Sequence, residues 1–253
     1  MQQLTKRTRI VALATMVTTV AAIAACKGGD GKGATADTAT PAPAPAAAAP
    51  AGATPPPMAT GTHTPPPANA SDADLLHEAM WELSNTMVYD IFSPPQASRT
   101  YAYASIAAYE AMRPADTTYK SLAGQLKGLT PVPVPPAGAK VSYPMAGVHA
   151  FMVVSQALTF SRARMDSLRS AMDKRFEARV PADQYRASIA YGDTVAKHVL
   201  AWSQGDRFKQ SRGWPKYSVT AARGRWVPTP PAYMDAVEPH WGALRPFVLD
   251  TGS

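Results

Sequence analysis

The chain has 253 residues, with 25 lysines and arginines against 18 aspartates and glutamates. Three of the basic residues, Lys6, Arg7 and Arg9, precede an apolar run at the N-terminus. The rest of the chain is therefore only mildly basic, and its net charge favours no class of partner. A single cysteine, Cys26, excludes an internal disulfide, so the core must be held by packing alone.

The N-terminus has the features of an export signal. Its basic residues are followed by an apolar run over residues 10–25, which is shorter than the roughly 20 residues of a membrane span. The run ends in Ile23-Ala24-Ala25-Cys26, which resembles the lipobox of bacterial lipoproteins. We therefore predict a signal peptide over residues 1–25 and lipidation at Cys26. The protein would then be held in the bacterial cell envelope, at the outer membrane facing the periplasm. An ordinary signal peptide with a chance cysteine is the alternative.

Residues 26–70 hold the lipidated cysteine and a segment rich in glycine, alanine, threonine and proline, ending near Pro65-Pro66-Pro67. Such a composition has almost no large apolar side chains with which to build a core. We predict a disordered tether, partly in polyproline II conformation. Residues 71–253 are long enough for one globular domain.

The globular part shows helical periodicity. Ser71 or Asp72 can cap a first helix that runs to about Ile91, with large apolar residues on one face, and Ser93-Pro94-Pro95 ends it. Four more helices are predicted. Three cover about 96–112, 145–160 and 182–203, and the one before the last has Met165, Leu168, Met172 and Phe176 on one face. The second and third are apolar or small on nearly all sides, which is typical of buried helices. Beyond Gly205 the periodicity is lost in a tail rich in proline and aromatic residues. The predicted fold is all-α, a helical bundle of about five main helices.

No candidate catalytic group stands out among the titratable residues. The histidines are His63, His77, His149, His198 and His240, and none has a spacing typical of a metal site. His149 and His198 lie on predicted helices, where a structural hydrogen-bonded role is favoured. A complete enzyme with a site built on one of these two is a third alternative. Glu78 and Glu82 are one turn apart, and a solvated helix face explains them.

One segment, residues 207–226, interleaves basic and aromatic side chains. The candidate anion-binding residues are Arg207, Lys209, Arg212 and Lys216, with Phe208, Trp214, Tyr217 and Trp226 among them or nearby. Such a pattern can bind nucleic acid. We expect no nucleic acid partner, because the protein is predicted to be exported and anchored in the envelope. Two interpretations stay open: a non-enzymatic module that binds an anionic envelope ligand, and long side chains that cover a loop with their charges in water.

Several stretches carry a family resemblance: residues 87–103 (MVYDIFSPPQASRTYAY) with 107–111, and then 226–233 (WVPTPPAY), 238–242 (EPHWG) and 245–249 (RPFVL). Together they resemble the N-terminal half of bacterial vanadium-dependent haloperoxidase-like proteins, in the type 2 phosphatidic acid phosphatase superfamily. The resemblance implies an all-helical fold. It also implies an active site that grips vanadate or phosphate with fixed cations, which neutralise the oxyanion.

The family's oxyanion site uses a lysine separated by six residues from an Arg-Pro pair, then Ser-Gly-His, then an arginine and a second histidine. This chain has Arg113-Pro114 and Arg245-Pro246, but Ile106 and Glu238 stand where the lysine is required. Ser-Gly-His does not occur in its 253 residues. We therefore assign no catalytic residue and no cofactor to this chain. We predict that the catalytic half would begin after Ser253.

We expect this chain alone to be inactive. We also expect its uncovered apolar faces to bind the catalytic half or to self-associate. The complete protein would oxidise halide with vanadate and peroxide, or hydrolyse phosphate esters, and the resemblance leaves both open.

Overall fold

The computed structural model describes residues 63–220 and 222–250, and these residues form a helical bundle. They contain α1 (Asp72–Tyr89), α2 (Pro94–Met112), α3 (Tyr143–Leu158), α4 (Arg162–Glu177), α5 (Ala182–Gln204) and the one-turn α6 (Phe208–Ser211), with two short 3-10 helices and no β-strand within these ranges. The predicted all-α class and its five main helices are confirmed. Cys26 and the predicted signal peptide lie outside the described residues. Within the described ranges, no helix combines the length and apolar character that a membrane span requires.

Local sequence explains where the helices begin. At α1, the Ser71 hydroxyl accepts from the Asp74 amide (3.2 Å) and the Asp74 carboxylate accepts from the Ser71 amide (2.9 Å), which makes a capping box. Helix α2 begins at Pro94, two residues before the predicted start, because proline suits the first helical position. The sequence did not predict α6, since four residues are too few to show a helical period.

Helix α3 lies at the centre of the bundle and packs against α1, α2, α4 and α5. Ten of its residues are buried, and they point to several sides of the helix. Small residues let the neighbours approach closely, as Gly192 of α5 shows. A Cβ added there would lie 2.7 Å from the Ala146 carbonyl oxygen of α3. The position of α3 explains why its sequence is apolar nearly all round.

The segment 63–70, which the sequence places in the tether, lies against α1 and α4. The Arg175 guanidinium donates to the carbonyl oxygens of Pro66 (2.9 Å) and Pro67 (2.6 Å). At its start, the His63 ring pairs with Glu78 of α1 and stacks on Trp81, with 4.9 Å between ring centroids. Within the described residues, contacts with the bundle therefore include His63 and are not confined to residues from Ser71 onward. Prolines carry no amide donor, so the Arg175 guanidinium supplies hydrogen bonds to this segment in addition to the one from the Ala70 amide to the Pro67 carbonyl (3.0 Å).

We expect Gly192→Ala to destabilise the domain by about 1–3 kcal/mol, as overpacking does. The new methyl would meet the Ala146 carbonyl, which is backbone and cannot yield as a flexible side chain can. This cost outweighs the better helix propensity of alanine. Urea denaturation followed by circular dichroism measures the change. Gly242→Ala is the control, because nothing lies within 4 Å of its added Cβ. Equal stability of the two variants would contradict the close α3–α5 contact.

Candidate functional site

A buried charged cluster joins α2, the end of α5 and the C-terminal tail. Asp206, 3% exposed, lies two residues after the end of α5. Its carboxylate accepts from the Arg99 Nε (2.6 Å), the Tyr103 hydroxyl (3.0 Å) and the Phe208 amide (2.9 Å). Hydrogen bonds to an ionised carboxylate in a buried site are among the stronger ones in proteins. Asp206 is therefore the anchor of this junction.

Arg245 brings a second guanidinium to the cluster from the tail. Its Nη2 donates to the Tyr103 hydroxyl (3.2 Å) and the Trp202 carbonyl (2.9 Å), and its backbone amide donates to the Asp206 carbonyl (3.1 Å). Burial raises the pKa of Tyr103, and the nearby Asp206 charge raises it further. The phenol therefore stays protonated and donates a hydrogen bond to Asp206. Two guanidiniums around one carboxylate leave the cluster with excess positive charge.

Aromatic rings surround these charges. The Tyr103 ring meets the rings of Trp202 and Phe247 edge-to-face, at centroid distances of 5.0 Å and 5.4 Å. The Arg99 guanidinium lies over the Tyr103 ring at 4.9 Å, and the Arg245 guanidinium over the Trp202 ring at 4.6 Å. Cation–π contacts of this kind stabilise buried guanidiniums, and more so when the groups are desolvated.

A cavity of about 570 Å³ borders the cluster. It is lined by Ser98, Arg99, Tyr103 and Asp206 on one side and by residues from Trp241 to Asp250 on the other. Its two arginines offer positive charge to a small anion. The carboxylate of Asp206 is already engaged by three donors, so it is poorly placed to act as a base. The arrangement can hold charge, but it does not present an activated nucleophile.

The family resemblance implies vanadate as the bound group. The residues of this cavity are not the donor set with which the family binds vanadate. The family's set combines lysine, arginine, serine and histidine donors, whereas the described residues that line the cavity include neither a lysine nor a histidine. We therefore assign no catalytic step to Arg99, Arg245 or their neighbours.

The four predicted anion-binding residues have different surroundings. Arg207, at a left-handed φ of 72°, lies over the Trp214 ring at 5.2 Å. Arg212 pairs with Glu238 and covers the Phe208 ring at 4.4 Å. Lys209 and Lys216 are exposed. Arg212 and Lys216 line one common cavity, of about 280 Å³. Anion binding by this segment stays a prediction.

Sequence reasoning missed the Asp206 cluster, although it had quoted both of its arginines. Arg99 and Arg245 both stand in stretches that carry the family resemblance. Their partner Asp206 lies 107 residues beyond Arg99, immediately before the segment singled out for its basic residues. No local spacing connects the three.

His149 joins three helices. Its ring is buried, and its Nδ1 and Nε2 lie 3.0 Å from the Asp173 carboxylate of α4 and 2.9 Å from the Asp193 carboxylate of α5. His198 is bonded to the carbonyl of Thr130 (3.1 Å). Both histidines are thus hydrogen-bonded within the bundle, which agrees with the structural role favoured from the sequence.

Comparison with solved structures shows a haloperoxidase-like relationship. The chain is similar to a bacterial vanadium-dependent iodoperoxidase of known crystal structure, with a TM-score of 0.67 and 44% sequence identity. The match covers 74% of this chain and 45% of that one, so the chain spans less than half the length of its relative. Neither a protein-family model nor a curated protein matches the chain. The resemblance predicted from the sequence motifs is confirmed at the level of this relationship.

Proposed function

We propose that this chain is the N-terminal helical part of an envelope-anchored vanadium-dependent haloperoxidase. The observation that carries the proposal is its 44% identity to an iodoperoxidase over only 45% of that protein. The groups that hold vanadate would lie in further polypeptide, because Ser-Gly-His is missing from the sequence and Ile106 and Glu238 replace the required lysine. Residues 1–253 alone would then be a scaffold without catalysis.

We prefer halide oxidation over hydrolysis of phosphate esters because the relative is described as an iodoperoxidase. Both chemistries stabilise a highly charged oxyanion with fixed cations. Iodide is accordingly the first substrate to test, with a phosphate monoester as the alternative.

The anchor is proposed at Cys26, on the strength of the signal-like residues that precede it. The docked segment 63–70 supports this arrangement, since it fixes the point on the bundle where the tether arrives. The residues between Cys26 and His63 would then tether the helical part to the outer membrane.

The test begins with the gene and the native protein. The reading frame is followed past codon 253, the intact mass of the membrane-extracted protein is measured, and iodide oxidation by that protein is assayed with and without vanadate. We expect the frame to continue into the lysine, Arg-Pro and Ser-Gly-His motifs, a mass that includes a lipid, and vanadate-dependent oxidation. The separately expressed chain 27–253 should be inactive. A native mass that ends at Ser253 would overturn the catalytic proposal.

The alternative function is a non-enzymatic module that binds an anionic envelope ligand through residues 207–226. It is favoured by the exposure of Lys209 and Lys216, which carry positive charge next to the aromatic rings of this segment. The double reversal Lys209→Glu and Lys216→Glu leaves the Arg212–Glu238 pair intact. Under this hypothesis it should abolish salt-sensitive binding to phosphatidylglycerol vesicles. Unchanged binding would dismiss the hypothesis.

A further inference from the structure

Helix α1 ends in an unusual Schellman motif. The Phe92 amide donates to the Met87 carbonyl (2.9 Å) and the Ile91 amide to the Val88 carbonyl (3.1 Å), which is the hydrogen-bond pattern of that motif. The position after the C-cap adopts a left-handed conformation and is usually glycine. Here it is Ile91, with φ 55°. A β-branched residue in this region is a genuine conformational outlier.

Burial does not compensate this strain within the described part of the chain, because Ile91 is 89% exposed. A glycine or asparagine would close the same motif with less strain. Strained residues that persist are found preferentially at binding and switch sites. The isoleucine does not serve the stability of this bundle. A contact with a group outside the bundle would explain its presence better.

Ile91 belongs to a larger apolar surface that spans two helix junctions. The Asp90 carboxylate accepts from the amides of Phe160 (2.8 Å) and Ser161 (3.0 Å), which ties the α1–α2 turn to the α3–α4 turn. Phe160 is 70% exposed and meets the Phe92 ring edge-to-face at 5.0 Å. We name this surface the apolar corner and define it by its exposed side chains: Val88, Tyr89, Ile91 and Phe160.

The charges beside the apolar corner favour a polypeptide over an anionic bilayer as its partner. Arg164 is paired with Glu82 (3.6 Å) and lies over the Tyr89 ring at 6.0 Å. Asp90 adds a negative charge at the centre of the surface. Attraction to anionic lipid needs a cluster of basic residues, whereas the two arginines here, Arg162 and Arg164, are accompanied by the acidic residues Glu82 and Asp90.

We propose that the apolar corner docks the apolar face of a helix. That helix would belong to polypeptide equivalent to the part of the iodoperoxidase that this chain does not match. That part is more than half of the relative, since the match covers 45% of it. The family resemblance implies that the whole fold is helical. Exposed apolar side chains held rigidly at one site are typical of protein interfaces. The inference rests on the proposed function, whose own test does not involve Ile91.

The test uses the chain from Lys27 onward and, as the probe, the unmatched part of the solved iodoperoxidase produced separately and shown to be helical by circular dichroism. Isothermal titration calorimetry measures their association. Ile91→Asn and Phe160→Ser should each weaken it at least tenfold. Ile91→Asn should at the same time raise the melting temperature of the chain alone, because asparagine tolerates the left-handed region. Lost binding could then not be ascribed to misfolding. Val219→Asn, at an exposed apolar residue of the tail, is the matched control and should change neither quantity.

Equal association of the parent and the Ile91→Asn variant would overturn the proposal, as would failure of the parent to bind the folded probe. Binding of the parent to phosphatidylglycerol vesicles, lost in Ile91→Asn, would assign the corner to lipid and also overturn it. Vanadate-dependent iodide oxidation by the native protein would stand in each of these cases, so failure here is distinct from failure of the proposed function.

Discussion

Asp206→Asn is expected to destabilise the domain by about 3–5 kcal/mol, the usual cost of removing one partner of a buried ion pair. The Arg99 side chain is only 10% exposed and would keep its charge, with the second guanidinium of Arg245 nearby. An asparagine has one acceptor oxygen in place of two, and it brings no negative charge to oppose two cations. The tail would also lose part of its attachment, because Arg245 is held by the same junction.

Chemical denaturation at neutral pH measures the free energy of unfolding, and limited proteolysis reports the release of residues 241–250. Asp250→Asn is the matched control, since Asp250 is exposed and its partner is the surface residue Lys127. That variant should leave the unfolding midpoint unchanged. If Asp206→Asn cost less than about 1 kcal/mol, a typical effect of an ordinary substitution, the cluster could not be the anchor described above.

The second large effect concerns pH. Burial by itself lowers the pKa of His149, but the hydrogen bonds and charges of Asp173 and then Asp193 outweigh it and raise that pKa above the ordinary 6.5. Arg169 also contacts Asp173, at 3.4 Å, and moderates its charge. A raised pKa in the folded state means that this stabilisation is complete below pH 6.5 and is lost as pH rises through the folded-state pKa.

We therefore expect the free energy of unfolding to fall as the pH rises above about 6.5, with part of that fall due to the raised pKa of His149. His149→Gln should remove this part and should destabilise the domain by about 3 kcal/mol at the acidic end, where two carboxylates would lose their shared cation. Urea denaturation across the pH range tests both statements. His198→Gln, at a histidine bonded to the Thr130 carbonyl, is the control and should retain the parent's pH dependence. An unchanged slope in His149→Gln would contradict an imidazolium between Asp173 and Asp193.

Much of the fold could be predicted because helices are encoded by neighbouring residues. The capping serine at Ser71, the proline stop after α1 and the apolar stripes each act within a few residues, so their effect is visible in the sequence. The predicted boundaries differ from the observed ones by about two residues, as at Pro94. The family resemblance was also carried by contiguous stretches.

The candidate site could be predicted only in part. The sequence pointed to Arg212 and Lys216 as anion-binding residues, but the charge of Arg212 is engaged by Glu238, which lies 26 residues away. It pointed to no role for Asp206, whose importance comes from two arginines that reach it from α2 and from the tail. Ion pairing between remote residues depends on how helices cross, and no local pattern encodes that crossing.

The sequence by itself determined the all-α class, the order of the main helices and the relationship to haloperoxidases, because these follow from local periodicity and from motifs. The tertiary structure alone decided which charges meet. It placed Arg99, Asp206 and Arg245 in one buried cluster, set His149 between two carboxylates, and left Ile91 exposed in a strained conformation. The physical reason is that burial and electrostatic pairing are properties of three-dimensional neighbours, which packing brings together from distant parts of the chain.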